Sequence, residues 1–127
     1  MSSPGTCDVT LGDYDGDAAT VYREAVVRAR VRHECGECSD PILPGDQYEH
    51  ITGLWEGRWH TYRFCLGCSE AQRALSEHDR TFGILWDTMQ NAWSDGAHLQ
   101  ACLNRLTTGA AKQHMTRQWR RWKGLGP

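Results

Sequence analysis

The residues best suited to chemistry in this sequence are two pairs of cysteines with the same short spacing. The pairs are Cys35/Cys38 and Cys65/Cys68, and residues 39–64 lie between them. Four thiolates supplied in this way match the closed tetrahedral shell of a structural zinc ion, whose binding energy is largely folding energy. The intervening stretch exceeds the roughly 15–20 residues usual in double Cys-x-x-Cys sites, so a long hairpin must connect the pairs. The sequence therefore predicts one structural Zn²⁺ held by these four cysteines.

Two other uses of the cysteines fit less well. A redox dithiol does not require a second pair, and a disulfide framework is typical of secreted chains, whereas this N-terminus lacks the apolar region of a signal peptide. Cys7 and Cys102 then remain single, and Cys102 falls on a helical apolar face where we expect it to serve as buried packing. No apolar run approaches the ~18 residues of a membrane span. We therefore expect a reducing, cytoplasmic location and no membrane partner.

The element expected to position the four cysteines is a β-hairpin. The segments QYEHITGLW and RWHTYRFC flank residues 56–57, a spacing that suits a two-residue turn. In that register Leu54 faces Trp59. Ile51 faces Tyr62 on the opposite side, so both faces of the hairpin carry aromatic residues. This pattern predicts a hairpin that is covered on both sides or that leaves one side for a partner.

A strand precedes the first cysteine pair and a helix follows the second. Val27, Ala29 and Val31 alternate with arginines in the run that begins at residue 20, which predicts a half-buried strand. After the second pair, Ser69 and Gln72 match a capping box, which predicts a helix over SEAQRALSEHD. Each Cys-x-x-Cys segment forms a short metal-binding loop, or knuckle: the first is residues 35–38 and the second is residues 65–68. The order of first knuckle, hairpin, second knuckle and helix is that of a treble clef. The predicted fold class is therefore α+β, a treble-clef zinc finger (β-hairpin plus helix) with a C-terminal extension of short helices.

The composition divides the chain into three segments. Residues 1–18 are rich in Ser, Gly, Asp and Pro and are expected to form a flexible acidic lead-in. Residues 19–79 form the predicted zinc domain. Residues 80–127 contain three apolar stripes at helical spacing, which predict a helical extension whose last helix is basic.

The charge distribution bears on the partner. The formal net charge is −2, and residues 34–100 carry eleven acidic residues against four arginines, whereas residues 101–127 carry six basic residues and no acid. An acidic body repels phosphate, which favours a protein partner. The alternative is a nucleic-acid-binding protein that uses the basic C-terminal helix. The candidate binding residues are Trp55 and Trp59 at the hairpin tip and, in the tail, Arg117, Trp119, Arg120, Arg121, Trp122 and Lys123.

Packing is the competing interpretation of the tail tryptophans. Trp119 and Trp122 continue the apolar stripe that passes through Met115, so they are expected to pack on the domain and to leave the tail arginines solvated. Trp and Arg are also enriched in interface hot spots. The sequence leaves both roles open.

A catalytic role has one candidate residue, His60 on the hairpin. The treble clef is also the scaffold of HNH-type nucleases, whose metal site needs a histidine general base with further His, Asn or Asp ligands. The strand alternation sends His60 to the face opposite Cys65, and four cysteines close the coordination shell that a hydrolytic zinc keeps open. We therefore predict no catalytic residue and no small-molecule substrate, with an HNH-like nuclease as a second alternative.

The stretch from Tyr22 to Cys68 carries a more detailed pattern, in which arginines, histidine, glycines and aromatic residues keep fixed positions around the cysteine pairs. It resembles a group of small treble-clef zinc proteins of bacteriophage and prophage genomes. The resemblance implies a zinc-binding accessory protein that binds a host factor, and no activity is established for the group. It is carried by Arg28, Arg30, His33, Cys35, Cys38, Ile42, Gly45, Tyr48, Gly53, Trp55, Gly57, Cys65 and Cys68.

Overall fold

Among the residues that the structure describes, five strands form two antiparallel sheets. The computed structural model describes residues 6–11, 21–76 and 80–126. The strands are β1 (Val21–Arg28), β2 (His33–Glu34), β3 (Pro41–Ile42), β4 (Gln47–Trp55) and β5 (Arg58–Cys65). β1, β4 and β5 pair in the order β1-β4-β5, and β2 pairs with β3. The predicted hairpin is confirmed in its register, because Leu54 lies opposite Trp59 and Ile51 opposite Tyr62.

The two faces of the three-stranded sheet have different surroundings. On the inner face, Ile51 and Phe64 are fully buried because the helices pack against them. On the outer face, Trp59 keeps 62% of its surface exposed. From the strand register, the described side chains of the outer face are Arg23, Ala25 and Val27 of β1, Tyr48, His50, Thr52 and Leu54 of β4, and Trp59, Thr61, Arg63 and Cys65 of β5.

Four helices follow the sheet in the described part of the chain. They are α1 (Leu66–Leu75), α2 (Leu85–Ser94), α3 (Leu99–Leu103) and α4 (Gly109–Lys123). The three helices predicted beyond residue 80 are therefore confirmed, and α4 is the basic one. α4 begins after Thr108, whose side chain accepts a hydrogen bond from the Ala111 amide, and ends at Gly124 in the left-handed conformation.

The predicted capping box at the start of α1 is wrong. The helix begins earlier, at Leu66, and its N-cap is Cys65, which makes no side-chain capping bond. Ser69 is buried instead, and its hydroxyl donates to Glu49 Oε1 at 2.9 Å. The second cysteine pair thus straddles the start of the helix, with Cys68 inside its first turn.

A single hydrophobic cluster joins the sheet, the helices and the N-terminal segment. Leu11, Leu85, Met89 and Met115 are all fully buried in it. The Leu11 amide also donates to the Leu75 carbonyl at 2.8 Å. Residues 6–11 fall within the lead-in predicted at 1–18, and the rest of that lead-in lies outside the described residues. The three-part division of the chain stays a prediction.

The expectation that Cys7 and Cys102 remain single is wrong. The two residues form a disulfide with a Cα–Cα distance of 5.0 Å and a sequence separation of 95. Disulfides are typical of oxidising compartments, whereas the sequence predicted a reducing, cytoplasmic one, and that location stays a prediction. No helix among the described residues has both the length and the apolar character needed to cross a membrane.

Candidate metal centre

Four cysteine sulfurs converge where the turn between β2 and β3 meets the end of β5 and the start of α1. The Sγ atoms of Cys35, Cys38, Cys65 and Cys68 all lie within 4.8 Å of one another, and those of Cys38 and Cys65 are 3.9 Å apart. A tetrahedron with Zn–S bonds of ~2.3 Å requires sulfur–sulfur distances of about 3.8 Å. The four predicted ligands therefore form a site that is able to hold a metal ion, and that the ion is zinc stays a prediction.

The first cysteine pair is held against β5 by backbone contacts. The Gly36 amide donates to the Arg63 carbonyl at 2.8 Å, and a Cβ at Gly36 would come within 3.1 Å of the Phe64 ring. The Cys65 amide donates to Cys35 Sγ at 3.3 Å. The glycine thus lets the turn lie close to the strand, and this closeness brings the two cysteine pairs together.

The second pair gains its position from α1. Cys68 is fully buried in the first turn of the helix, where the helix dipole favours an anionic sulfur. Trp86 of α2 donates its indole N–H to Cys68 Sγ at 3.3 Å. A donor from another helix therefore contacts the most deeply buried sulfur of the site.

His114 of α4 is a further donor to the sulfurs. Its Nε2 lies 3.2 Å from Cys68 Sγ and 3.6 Å from Cys65 Sγ. On the other side of the ring, Arg117 Nη2 lies 3.3 Å from His114 Nδ1. Because a guanidinium can only donate, Nδ1 must accept and Nε2 must carry the proton. Nε2–H therefore points at the sulfurs as a hydrogen-bond donor, which is the role of an outer-shell residue rather than of a metal ligand.

Gly67 makes room for this histidine. A Cβ at Gly67 would lie 2.8 Å from His114 Cγ and 2.9 Å from His114 Cβ, a separation that real side chains do not adopt. Only glycine at this position allows α4 to pack so closely on the start of α1. The glycine of the second Cys-x-x-Cys pair is thus explained by the approach of another helix.

The electrostatics of the cluster favour a bound cation. A hydrogen bond from the Cys38 thiol lowers the pKa of Cys35, whereas a hydrogen bond to Cys35 raises the pKa of Cys68. Four close sulfurs cannot all be ionised without a compensating charge. A divalent ion would bind all four as thiolates, and the N–H groups of Cys65, Trp86 and His114 would stabilise the remaining negative charge.

A polar network connects the first knuckle to the helices. Glu37 accepts a hydrogen bond from Gln72 Nε2 at 2.5 Å and one from the Leu85 amide at 3.4 Å, and its burial raises the pKa of its carboxyl group. Gln72 Oε1 in turn accepts from Arg80 Nη2 at 2.6 Å. Arg80 also pairs with the buried Glu49 at 2.6 Å. This network fixes α1 and α2 relative to the metal centre.

The three tail arginines that were predicted to bind a partner all have contacts within the chain, and Arg120 Nη2 donates to the Leu125 carbonyl at 3.2 Å. Arg121 forms an ion pair with Asp40 at 2.8 Å. Arg117 contacts the His114 ring, as described above. The guanidinium groups of Arg117 and Arg121 therefore have internal roles close to the metal centre.

The aromatic residues and the lysine of the tail also have internal contacts. The Trp122 ring lies 5.7 Å from that of Trp93. The Lys123 ammonium lies 5.8 Å from the Trp119 ring and 5.3 Å from that of Trp122. Packing thus accounts for most of the side chains of the basic tail.

The two hairpin tryptophans have different surroundings. Trp55 is half-buried on the inner face, with its ring 5.8 Å from that of Tyr62. Trp59 lies on the outer face and is largely exposed. His60 shares the inner face, with its ring 5.9 Å from Trp55. The register therefore places His60 and Cys65 on opposite faces, as the strand alternation predicted.

Besides Trp86 of α2, sequence reasoning missed the site residue His114 of α4. It lies between Ala111 and Met115, on the side of α4 that is buried. A polar residue on a helix face that is otherwise apolar is the signal that could have found it. The sequence by itself does not show which buried group the imidazole meets, because residues 69–113 separate it from the second cysteine pair.

No protein-family model matches the chain, and no match was found among curated proteins or solved structures. The resemblance to phage-type zinc proteins therefore rests on the sequence motif alone.

Proposed function

We propose that this chain is a non-enzymatic binding module whose fold is stabilised by one zinc ion in a treble-clef arrangement. The observation that carries the proposal is the closed set of four sulfurs, all within 4.8 Å of one another. Tetrathiolate sites of this kind are structural, since every coordination position is taken by the protein. The N–H groups that contact the sulfurs of Cys35, Cys65 and Cys68 support the same role, because they would stabilise thiolates held within the fold.

The positions of the histidines support the absence of catalysis. A hydrolytic zinc site keeps one position for water. Within the described part of the chain, the groups of side chains able to hold a metal are the four cysteines and the set Cys38, Asp40 and His114. The second set shares Cys38 with the first, its Asp40 is paired with Arg121, and its histidine donates to sulfur. The HNH-like alternative has only His60, which the sheet separates from the sulfurs.

The proposed partner of this module is a host protein. A host protein is favoured by the acidic composition and by the phage-type resemblance, and it stays a prediction. Nucleic-acid binding through α4 is less well supported than the sequence indicated, because Arg117 and Arg121 have partners within the chain.

The zinc proposal is tested by elemental analysis of full-length protein that is purified without chelator. We expect one zinc per chain. Replacement of the metal by Co²⁺ should give the charge-transfer absorption of tetrathiolate coordination. The matched control is the double variant Cys7→Ser/Cys102→Ser. It removes two cysteines, as loss of one Cys-x-x-Cys pair would, but it should keep its zinc. Protein that folds cooperatively without metal would contradict the proposal.

The absence of catalysis is tested separately. Zinc-loaded protein is incubated with single-stranded and duplex DNA in the presence of Mg²⁺ or Mn²⁺, next to a His60→Ala variant. We expect no cleavage by either protein. Cleavage that disappears in the His60→Ala variant would favour the nuclease instead.

A further inference from the structure

The outer face of the three-stranded sheet carries basic side chains and no acidic one among its described positions. Arg23 is exposed, and Arg63 and His50 are partly exposed. Thr52 pairs with Arg23 on one side and with Thr61 on the other, in the row of the sheet next to that of His50 and Arg63. This face differs from the chain as a whole, which has a net charge of −2.

Seven of the twelve arginines have a partner among the described residues, and Arg28 of β1 is one of them because its Nη1 donates to the Gly45 carbonyl. The arginines of the helices and of the segment before α2 also have partners, as in the ion pairs of Arg73, Arg80 and Arg121. Five others make no ion pair or side-chain hydrogen bond with any described residue, and the Nε atom of Arg63 is buried without a partner there. The five belong to the sheet or to the segment after β1: Arg23, Arg30, Arg32, Arg58 and Arg63. Of these five, Arg23 and Arg63 lie on the outer face in the strand register, whereas Arg58 has the parity of the inner face.

An exposed aromatic ring lies at one end of this face. Trp59 is 62% exposed, and its cross-strand neighbour is Leu54. Along β5, Trp59 and Arg63 are about 13 Å apart, and the three strands span about 10 Å from β1 to β5. The face therefore presents one stacking surface, two arginines, one imidazole and two hydroxyl groups over an area that suits a few nucleotides.

We infer that the outer face of the sheet is a binding site for single-stranded nucleic acid. This inference rests on the zinc-stabilised, non-enzymatic binding module proposed above and assigns it nucleic acid in place of a host protein as partner. Base stacking on Trp59 and phosphate contacts from Arg23 and Arg63 are the two contributions that single-strand-binding surfaces combine. A duplex hides its base faces and would leave the indole unused. A stable protein interface needs a largely apolar core, whereas the guanidinium groups of Arg23 and Arg63 lie among the exposed apolar side chains of this face.

The test measures binding of zinc-loaded full-length protein to fluorescein-labelled single strands of roughly 12 nucleotides, as DNA and as RNA, by anisotropy. Salt is set at about 50 mM and about 200 mM. Trp59→Ala should weaken binding by about 5- to 150-fold, the range for loss of one stacked base. Arg23→Ala/Arg63→Ala should weaken it at least about tenfold and lower the magnitude of the salt slope by about 1.4.

The matched control is Arg120→Ala/Lys123→Ala, which removes two positive charges from α4 and should leave binding unchanged. Polyglutamate serves as a charged probe without bases. The inference is overturned by absence of binding at the lower salt, by loss of binding only in the α4 variant, or by equally tight binding of polyglutamate that does not depend on Trp59. Zinc content and melting of each variant are measured in parallel, so a failure of the zinc-stabilised fold is distinguished from a failure of this site.

Discussion

The six cysteines of this chain form two sites of different kinds. Cys35, Cys38, Cys65 and Cys68 bring together two local pairs, whereas the disulfide joins residues with a sequence separation of 95. The first site contacts elements from the sheet, α1, α2 and α4. The second attaches the short N-terminal segment to α3. The difference shows that cysteines with a ligand spacing can be recognised locally, whereas a long-range disulfide becomes visible only in the fold.

The two sites also differ in the hydrogen bonds that stabilise the segments around them. Near the disulfide, Arg105 Nη1 donates to the Cys7 carbonyl at 3.0 Å and also to the Val9 carbonyl, and Leu11 is bonded to α1. The N-terminal segment thus has several attachments besides the S–S bond. At the metal centre, the surrounding N–H groups are directed at the sulfurs themselves, so they depend on the presence of the thiolates. We therefore expect the two sites to differ in their contribution to stability.

The largest expected effect is that of opening the metal centre. Cys65→Ser removes one of four ligands and leaves the other sulfurs without an ion to compensate their charge. Structural zinc contributes on the order of 10–16 kcal/mol in small domains, which matches or exceeds the ~5–15 kcal/mol stability of a typical domain. We expect loss of the cooperative transition in circular dichroism, and the same loss when wild-type protein is treated with a strong chelator. A variant that melts like the wild type would count decisively against a structural metal.

Loss of the disulfide should have a smaller effect. The double variant Cys7→Ser/Cys102→Ser is expected to lose ~2–4 kcal/mol of unfolding free energy, because the cross-link limits the freedom of the unfolded chain. Urea denaturation measures this difference, and the variant should still bind zinc. A reducing agent should destabilise the wild type and leave the variant unaffected. Free thiols at Cys7 and Cys102 in alkylated, unreduced protein would show that the disulfide does not form.

The contact of His114 with the sulfurs should affect the metal more than the fold. His114→Phe removes the N–H donor, and loss of an outer-shell partner typically costs about 10- to 100-fold in metal affinity. We expect faster transfer of zinc to a colorimetric chelator, and a shifted absorption band in Co²⁺-substituted protein. His114→Gln keeps a side-chain N–H and should recover part of the loss. Identical transfer rates in all three proteins would exclude the donor role.

The smallest expected effect is at the surface of the same helix. Arg121→Ala removes an ion pair with Asp40, and the two side chains are 44% and 28% exposed. Exposed pairs contribute ~0.2–1 kcal/mol and are weakened by salt. We expect a change within this range in urea denaturation and unchanged zinc transfer. If zinc transfer were as fast as in His114→Phe, the Arg121–Asp40 ion pair would be shown to hold α4 against the metal centre.

Much of the fold could be predicted because its signals are local. The turn at residues 56–57 and the alternation of side chains gave the hairpin and its register, and the apolar stripes gave the helices beyond residue 80. The predicted start of α1 was wrong. Ser69 and Gln72 match a capping box by residue type, but both side chains form tertiary contacts instead. Ser69 donates to Glu49, and Gln72 bonds Glu37 and Arg80. Residue type can suggest a helix cap, but the fold decides whether tertiary partners compete for the capping side chains.

The sequence by itself determined the four candidate ligands, because metal-binding spacing is a property of short segments, and it determined which residues share each face of the hairpin, because strands alternate with a period of two. The tertiary structure decided the rest. It brought His114 and Trp86 to the sulfurs, joined Cys7 to Cys102, used most of the tail cations internally, and left the outer face with arginines that have no described partner. These features depend on distances between segments far apart in the chain, which residue type and spacing do not encode.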